Sequence, residues 1–393
     1  MTMTSALPGT GGSTMRGRLS VVAVMMGIFS IVTTEIMPIG LLTSIGAGFS
    51  ISDGTAGLMM TMPGFLAAVA APVVTVATAR IDRRVMLCAF MLLLAAANFL
   101  AAVATVYWVM LISRVMVGIT IGGFWSIGAG LGGRLVRPER VGRATALIFS
   151  GVPLGSVLGV PAGTLVGDLA GWRTAFALVG VLSLGILAAM VVVLPALPAR
   201  RTTGAAVLVD ALRSRQVRAG LAATFLIVLA HFGAYTYVTP FLEDVTGAGP
   251  GTVTLLLMLY GCAGVAGNFV VGARAHRNLG AAFGGSAVSL ALATLLLPLL
   301  GRWDAGAAVL LVTWGIAYGA VPVCSQLWFA KAIPEAAEAA SVIFTASFQA
   351  TLSTGALVGG LVVDGSSPSA VMVLGGVLAL LVALMVRVNL GRR

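Results

Sequence analysis

"LSVVAVMMGIFSIVTTEIMPIGLL", residues 19–42, decides what kind of chain this is. An α-helix needs about 20 apolar residues to cross the roughly 30 Å hydrocarbon layer of a bilayer, and this stretch supplies them with one ionisable side chain, Glu35. It is too long for the apolar core of a signal peptide, and no small-residue cleavage site closes it, so it reads as a retained first span. Glu35 is the anomaly. A carboxylate in hydrocarbon is costly unless it is neutral, paired or facing a water-filled cavity, and each condition ties it to function or to an internal partner.

The composition extends that reading to the whole chain. Of 393 residues, 59% are apolar and only 9% charged, with a mean hydropathy of +1.08. A soluble domain carries about 25% charged residues, so this chain cannot clothe itself for water. The net charge of +11 does not make it a nucleic-acid binder, because the basic residues sit in small clusters between apolar stretches rather than on one solvated face. Cys88, Cys262 and Cys324 are far apart with no CxxC spacing, which predicts neither disulfide nor metal site. There is no G-x-x-x-x-G-K-[ST] loop, HExxH or GxSxG, so the sequence predicts no cofactor, no metal and no enzyme.

Apolar runs broken by Gly, Pro or charge predict twelve spans: about 19–46, 55–78, 85–104, 106–132, 143–167, 172–194, 218–242, 252–272, 279–300, 305–330, 336–362 and 367–388. On alternate loops, 20 of the 23 basic residues fall on the side of the termini and only Arg173 and Arg302 on the other, with Arg114 inside a span. That asymmetry predicts both termini in the cytoplasm, and the expected location is the inner or plasma membrane of a bacterium. The predicted division is a disordered tail 1–18, a six-helix bundle 19–194, a linker 195–217, a second bundle 218–388 and a tail 389–393. "ARIDRR" at 79–84 is echoed by "ARAHRN" at 273–278. The expected fold class is therefore an all-α membrane protein of twelve transmembrane helices in two pseudo-symmetric six-helix bundles, with a site between them near the midplane. The expected partners are a small-molecule substrate, protons and the lipid bilayer, with no nucleic acid, and the chain reads as a monomer.

Counting along the helices puts Glu35 and Arg114 at similar depth. Two readings stand: Glu35 carries a proton in competition with substrate, or it forms a permanent ion pair with Arg114. His231 reads as a proton relay or as a hydrogen-bonded structural residue. Tyr235, Tyr237, Asn268, Gln326, Trp328 and Gln349 are candidates to line the cavity. In "GVPLGSVLGVPAG", Gly151, Gly155, Gly159 and Gly163 recur every four residues with Pro153 and Pro161, a groove for close helix approach.

"EIMPIGLLTSI", "APVVTVATARIDRR", "SRVMVGITIGGFW", "GVPLGSVLGVPAG" and "GWRTAF" together resemble the arabinose-efflux and chloramphenicol-resistance type of drug:proton antiporters in the major facilitator superfamily. The resemblance implies that Glu35 is the proton site and that Arg114, with Gly118 after it, assists proton transfer, although Val117 stands where the family has glutamine. It implies that the glycine–proline run of the fifth span favours export. It also implies a conformational latch at Arg80, Asp82, Arg83 and Arg84, with Ala79 and Asp82 departing from the family pattern. The function expected on that basis is secondary active efflux of a small organic solute, a drug such as chloramphenicol or a sugar or nucleoside, in exchange for protons. An uptake symporter or facilitator of the same fold is the alternative.

Overall fold

The computed structural model describes residues 14–77, 81–128, 131–137, 140–198, 213–275, 277–332 and 337–390. Among them there is no β-strand, and twelve helical segments are long and apolar enough to span a membrane. They are span 1 (Met15–Phe49), span 2 (Asp53–Ala71), span 3 (Arg83–Ala102), span 4 (Tyr107–Trp125), span 5 (Arg143–Ala170), span 6 (Trp172–Val193), span 7 (Arg215–Tyr235), span 8 (Pro250–Gly272), span 9 (Leu279–Leu300), span 10 (Asp304–Phe329), span 11 (Phe344–Gly365) and span 12 (Pro368–Asn389). The first helix starts at Thr14, so residues 14–18 are helical rather than part of a disordered tail. Similarly, the helix of span 7 begins at Arg215, inside the stretch read as linker.

The packing has the two-fold order the sequence predicts. Span 1 packs on spans 5 and 6 as span 7 packs on 11 and 12; span 2 packs on 4 as 8 packs on 10; span 3 packs on 4 and 6 as 9 packs on 10 and 12. Between the halves, span 2 meets span 11 and span 5 meets span 8, two contacts that exchange under the same two-fold. Small residues allow the closest approaches, as expected where lipid and side chain are equally apolar. A Cβ on Gly118 or Gly122 of span 4 would strike the carbonyls of Pro63 and Ala67 in span 2; one on Gly315 or Gly319 of span 10 would strike Tyr260 and Gly264 of span 8. The glycine run of span 5 lies along span 1: Gly151 faces Met25, Gly155 faces Val32, Gly159 faces Thr33 and Gly163 faces Met37, with Pro161 buried in the same helix.

Span 1 begins and span 12 ends on one face, called here the terminal face; the opposite one is the far face. The buried apolar residues form two clusters. One belongs to the first half alone and lies toward the terminal face, with Val24, Leu87, Phe124 and Met190 among its members. The other joins the second half to the far-face ends of the first, including Leu42, Met59, Met110 and Trp172. Among the described residues the halves therefore share a buried apolar core at the far face and none toward the terminal face. Gly64 of span 2 sits at this junction, where an added Cβ would meet the Gln349 carbonyl and the Ser353 hydroxyl of span 11. Gly64→Val should pry the far face open. A thiol placed at the buried Ala56, in a cysteine-free background, should then react with a water-soluble maleimide several-fold faster than with Gly64 intact; unchanged labelling would mean that this contact does not hold the closure.

Candidate functional site

Span 1 is not one helix. It runs from Thr14 to Ile36, tightens to a 3₁₀ turn over Met37–Leu41, and resumes at Leu42–Phe49. Pro38 is the cause: it has no N–H for the carbonyl of Thr34, four residues back, and its ring crowds that turn. In hydrocarbon a freed carbonyl must be answered by the protein. Arg114 of span 4 answers it, donating from Nη1 to the Thr34 oxygen at 3.0 Å, with its guanidinium 5.0 Å from the Phe176 ring centroid. The Thr239 hydroxyl, from the other half, donates to the Ile39 carbonyl at 2.9 Å; the Thr164 hydroxyl of span 5 donates to its own Val160 carbonyl at 3.0 Å and lies 3.4 Å from that of Gly40. Asn98 of span 3 donates to the Thr34 hydroxyl at 3.1 Å.

Glu35 lies in the last helical turn before this break, 7% exposed. Its Oε1 accepts from Gln349 Nε2 of span 11 at 3.0 Å, a buried bond between the two halves. An amide offers both donor and acceptor, so after turning over it can also receive the proton of a protonated carboxyl. Among the described residues no ion pair joins Glu35 to Arg114; the arginine serves the backbone next to Glu35, and its Nη2 has no hydrogen-bond partner. The permanent pair weighed from the sequence is thus not the arrangement found.

Span 7 repeats the device. Thr34-x-x-x-Pro38 returns as Thr236-x-x-x-Pro240, and there the helix yields to a turn, the short helix Val238–Phe241 and a wide turn over Leu242–Thr246. Tyr237 holds the position equivalent to Glu35. It was expected in the cavity, but it is fully buried, donates to the Ala356 carbonyl at 2.8 Å and packs on Gly57 and Gly360 at the far face. The same face is closed by Asp364, which accepts from the Ser52 hydroxyl at 2.7 Å and the Gly54 N–H at 2.9 Å, and by Glu243, which accepts from Thr43 at 3.3 Å. Burial raises the Glu243 carboxyl above its ordinary range; the Thr43 bond lowers it and the neighbouring Asp244 and Asp53 raise it again.

His231 is caged by rings. Its Nδ1 accepts from Trp314 Nε1 at 3.1 Å, Nε2 stands 3.5 Å from the Tyr260 hydroxyl, and Tyr318 stacks on it with centroids 3.3 Å apart. Tyr235 closes the cage, 4.4 Å from the Tyr260 ring. Because indole N–H only donates, Nδ1 is held bare, and a relay that protonates it must first break the Trp314 bond. Trp328, another cavity candidate, instead donates to the Gln216 carbonyl at 3.1 Å and meets Phe283 edge-on, deep in the second half toward the terminal face. Asn268 is half-buried and Gln326 exposed, and of the six cavity candidates Gln349 is the one hydrogen-bonded to Glu35 among the described residues.

The loop read as a latch has these partners among the described residues. Arg80 lies outside the described residues. Asp82 caps span 3 through the Arg84 N–H at 2.8 Å and takes the Leu197 N–H at 3.0 Å on each oxygen; the Arg83 N–H donates to the Leu197 carbonyl, and Arg84 reaches the Val191 carbonyl at 2.5 Å. All of this lies within the first half. No group of three His, Cys, Asp or Glu side chains suited to a metal occurs among the described residues.

The comparisons agree with this geometry. The sequence profile of the Major Facilitator Superfamily matches residues 21–350. The purine ribonucleoside efflux pump NepI of Escherichia coli is 30% identical over 367 residues, covering 93% of each chain. The transcription regulatory protein OpdE of Pseudomonas aeruginosa is 33% identical over 348 residues, covering 88% of this chain and 87% of that one. Among solved structures, a bacterial homologue of the human lysosomal transporter Spinster, inward-facing and occupied, aligns with a TM-score of 0.70 at 16% identity over 96% of this chain and 97% of that one. The human organic anion transporter MFSD10 aligns with a TM-score of 0.70 at 17% identity over 94% and 99%. The chain is a multi-pass membrane protein, and it belongs to the major facilitator superfamily.

The repair of the Pro38 break can be tested by a double-mutant cycle. Arg114→Gln should destabilise the detergent-solubilised protein more in the native background than in Pro38→Ala, where an N–H is restored to the Thr34 carbonyl. A coupling of about 1 kcal/mol or more in chemical unfolding is expected; additive effects would show that Arg114 does not serve that carbonyl.

Proposed function

We propose that this chain is a proton-coupled exporter of a small neutral organic solute, of the nucleoside class, working by alternating access with both termini in the cytoplasm of a bacterial inner membrane. The observation that carries the reading is the Glu35–Gln349 bond: the lone carboxylate of the first span is buried at a break in its helix and tied to the opposite half. The efflux of purine ribonucleosides by a 30%-identical relative supports the direction and the substrate class. The lack, among the described residues, of a shared buried core toward the terminal face supports a state open to the cytoplasm.

The chemistry follows from what burial costs. Opening the far face pulls spans 1 and 11 apart and takes Gln349 from Glu35. A carboxylate left there without its donor loses several kcal/mol of stabilisation, whereas a neutral carboxyl loses far less. A proton on Glu35 thus belongs with one set of states and the ionised form with another. Substrate entering from the cytoplasm brings its own hydrogen-bond donors to Glu35, which favours the carboxylate and sends the proton inward. After outward release, a proton from outside takes the donors' place and lets the empty carrier return. Arg114 holds the Glu35 backbone in register while this happens, and His231, capped by Trp314, stays out of the proton's path. Both halves of one chain complete the site, so a monomer suffices.

The test uses proteoliposomes with an imposed pH gradient. Wild type should drive inosine against its concentration gradient. Glu35→Gln should lose that accumulation while retaining exchange of labelled for unlabelled inosine. Gradient-driven accumulation by Glu35→Gln at the wild-type level would remove Glu35 as the coupling residue.

A far-face prediction follows from Glu243. Its raised pKa means that closure is favoured at acidic pH and weakened as pH rises through the folded-state value, where the carboxylate charges against Asp244 and Asp53. Glu243→Gln should flatten that pH dependence in hydrogen-exchange protection of residues 238–246; an unaltered pH profile would assign it to other groups.

A further inference from the structure

The second half turns a row of aromatic rings toward the Glu35–Gln349 pair. Phe348, beside Gln349 on span 11, lies 6.1 Å edge-on from Phe232 of span 7; Phe232 lies 5.9 Å edge-on from Tyr318 of span 10; and Tyr318 stacks on the His231 cage. Tyr318 and Phe348 are only half-buried, while His231 behind them is sealed. The cage makes the wall rigid, because Trp314 and Tyr260 pin the imidazole on which Tyr318 rests.

Several buried polar atoms on spans 4, 10 and 11 lack hydrogen-bond partners. The Tyr318 hydroxyl is enclosed, unpartnered and within electrostatic reach of Glu35. The Ser353 hydroxyl, one helical turn beyond Gln349 and over Gly64, is also unpartnered, as is Arg114 Nη2. Buried polar groups are seldom left so, and for the Tyr318 hydroxyl, near Glu35, a polar ligand is a natural partner. Two half-buried rings, Phe348 and Tyr318, set at an angle around the buried Phe232 with polar groups beside them, suit a planar heteroaromatic ring bearing hydroxyls.

We infer that Tyr318 is a specificity-determining residue: the substrate's planar heteroaromatic ring, of the purine type, packs against the half-buried Phe348, and the Tyr318 hydroxyl hydrogen-bonds the ring's edge. The inference rests on the reading that the space between the halves is the substrate site, and it adds which residue reads the substrate and by what chemistry. Tyr318 acts on affinity, not on the proton.

The experiment is a calorimetric titration of the full-length protein in detergent with inosine, chloramphenicol and arabinose, for wild type, Tyr318→Phe and Tyr318→Leu. Tyr318→Phe keeps the stacked ring and removes the hydroxyl; its melting temperature reports whether the fold survives. Wild type should bind inosine and not arabinose, Tyr318→Phe should weaken inosine about tenfold, near the loss of one hydrogen bond to a buried group, and Tyr318→Leu should abolish binding. Chloramphenicol binding that is lost in Tyr318→Leu, with no inosine binding, would uphold the wall and overturn only the nucleoside class. Inosine affinity unchanged in Tyr318→Phe would overturn the inference, as would arabinose bound as tightly as inosine, or wild-type protein that binds neither aromatic compound.

Discussion

Pro38 takes one N–H out of a helix that has no water to replace it, and much of the site is arranged around that loss. Inside a bilayer each backbone carbonyl needs a partner from the protein. The broken segment of span 1 finds its partners in Arg114 of span 4 and Thr239 from the opposite half. The arginine is buried for a backbone reason first, and that clarifies why it stands beside Glu35 without pairing to it. Fixing the Thr34 carbonyl fixes the turn that presents Glu35, so a structural repair and a functional carboxylate share one geometry.

The two halves use the same broken-helix device to different ends. At equivalent positions, before the prolines of spans 1 and 7, stand Glu35 and Tyr237. Tyr237 is fully buried and bonded to a carbonyl of span 11, which suits a fixed element of the second half. Glu35 is ionisable and bonded to an amide that accepts either protonation state. Fold symmetry thus supplies two bent helices, and one substitution within the repeat gives one of them a titratable group at the seam. The aromatic cage of His231 lies behind the seam, with Trp314 bonded to the imidazole and Tyr318 stacked on it.

The spans, their order and the two-fold repeat were legible because apolar length and charge interruption are local properties of sequence. Glu35 and Arg114 were legible because a charge inside an apolar run stands out. Their partners were not: the Glu35–Gln349 bond joins residues 314 apart, and helix rotation decides which face of span 11 carries Gln349. The same rotation turns Trp328 to the Gln216 carbonyl and Tyr237 to the far face, although both looked like lining residues by composition alone. Asp82 shows another limit. The resemblance implied a latch there without naming its partners, and the Asp82 oxygens accept the Leu197 N–H. The Thr-x-x-x-Pro repeat was present in the sequence and is the signal that identifies Thr239 and the bend of span 7; its meaning became plain once both prolines were seen to break their helices.

The central claim is that substrate and proton exclude one another at Glu35. The most direct measurement is proton release from the purified protein in weakly buffered detergent when inosine is added, read with a pH indicator for wild type and Glu35→Gln. The account predicts release in wild type that saturates with inosine binding and is absent in Glu35→Gln, which should still bind inosine. Equal release from both proteins, or binding to wild type with no release, would contradict it.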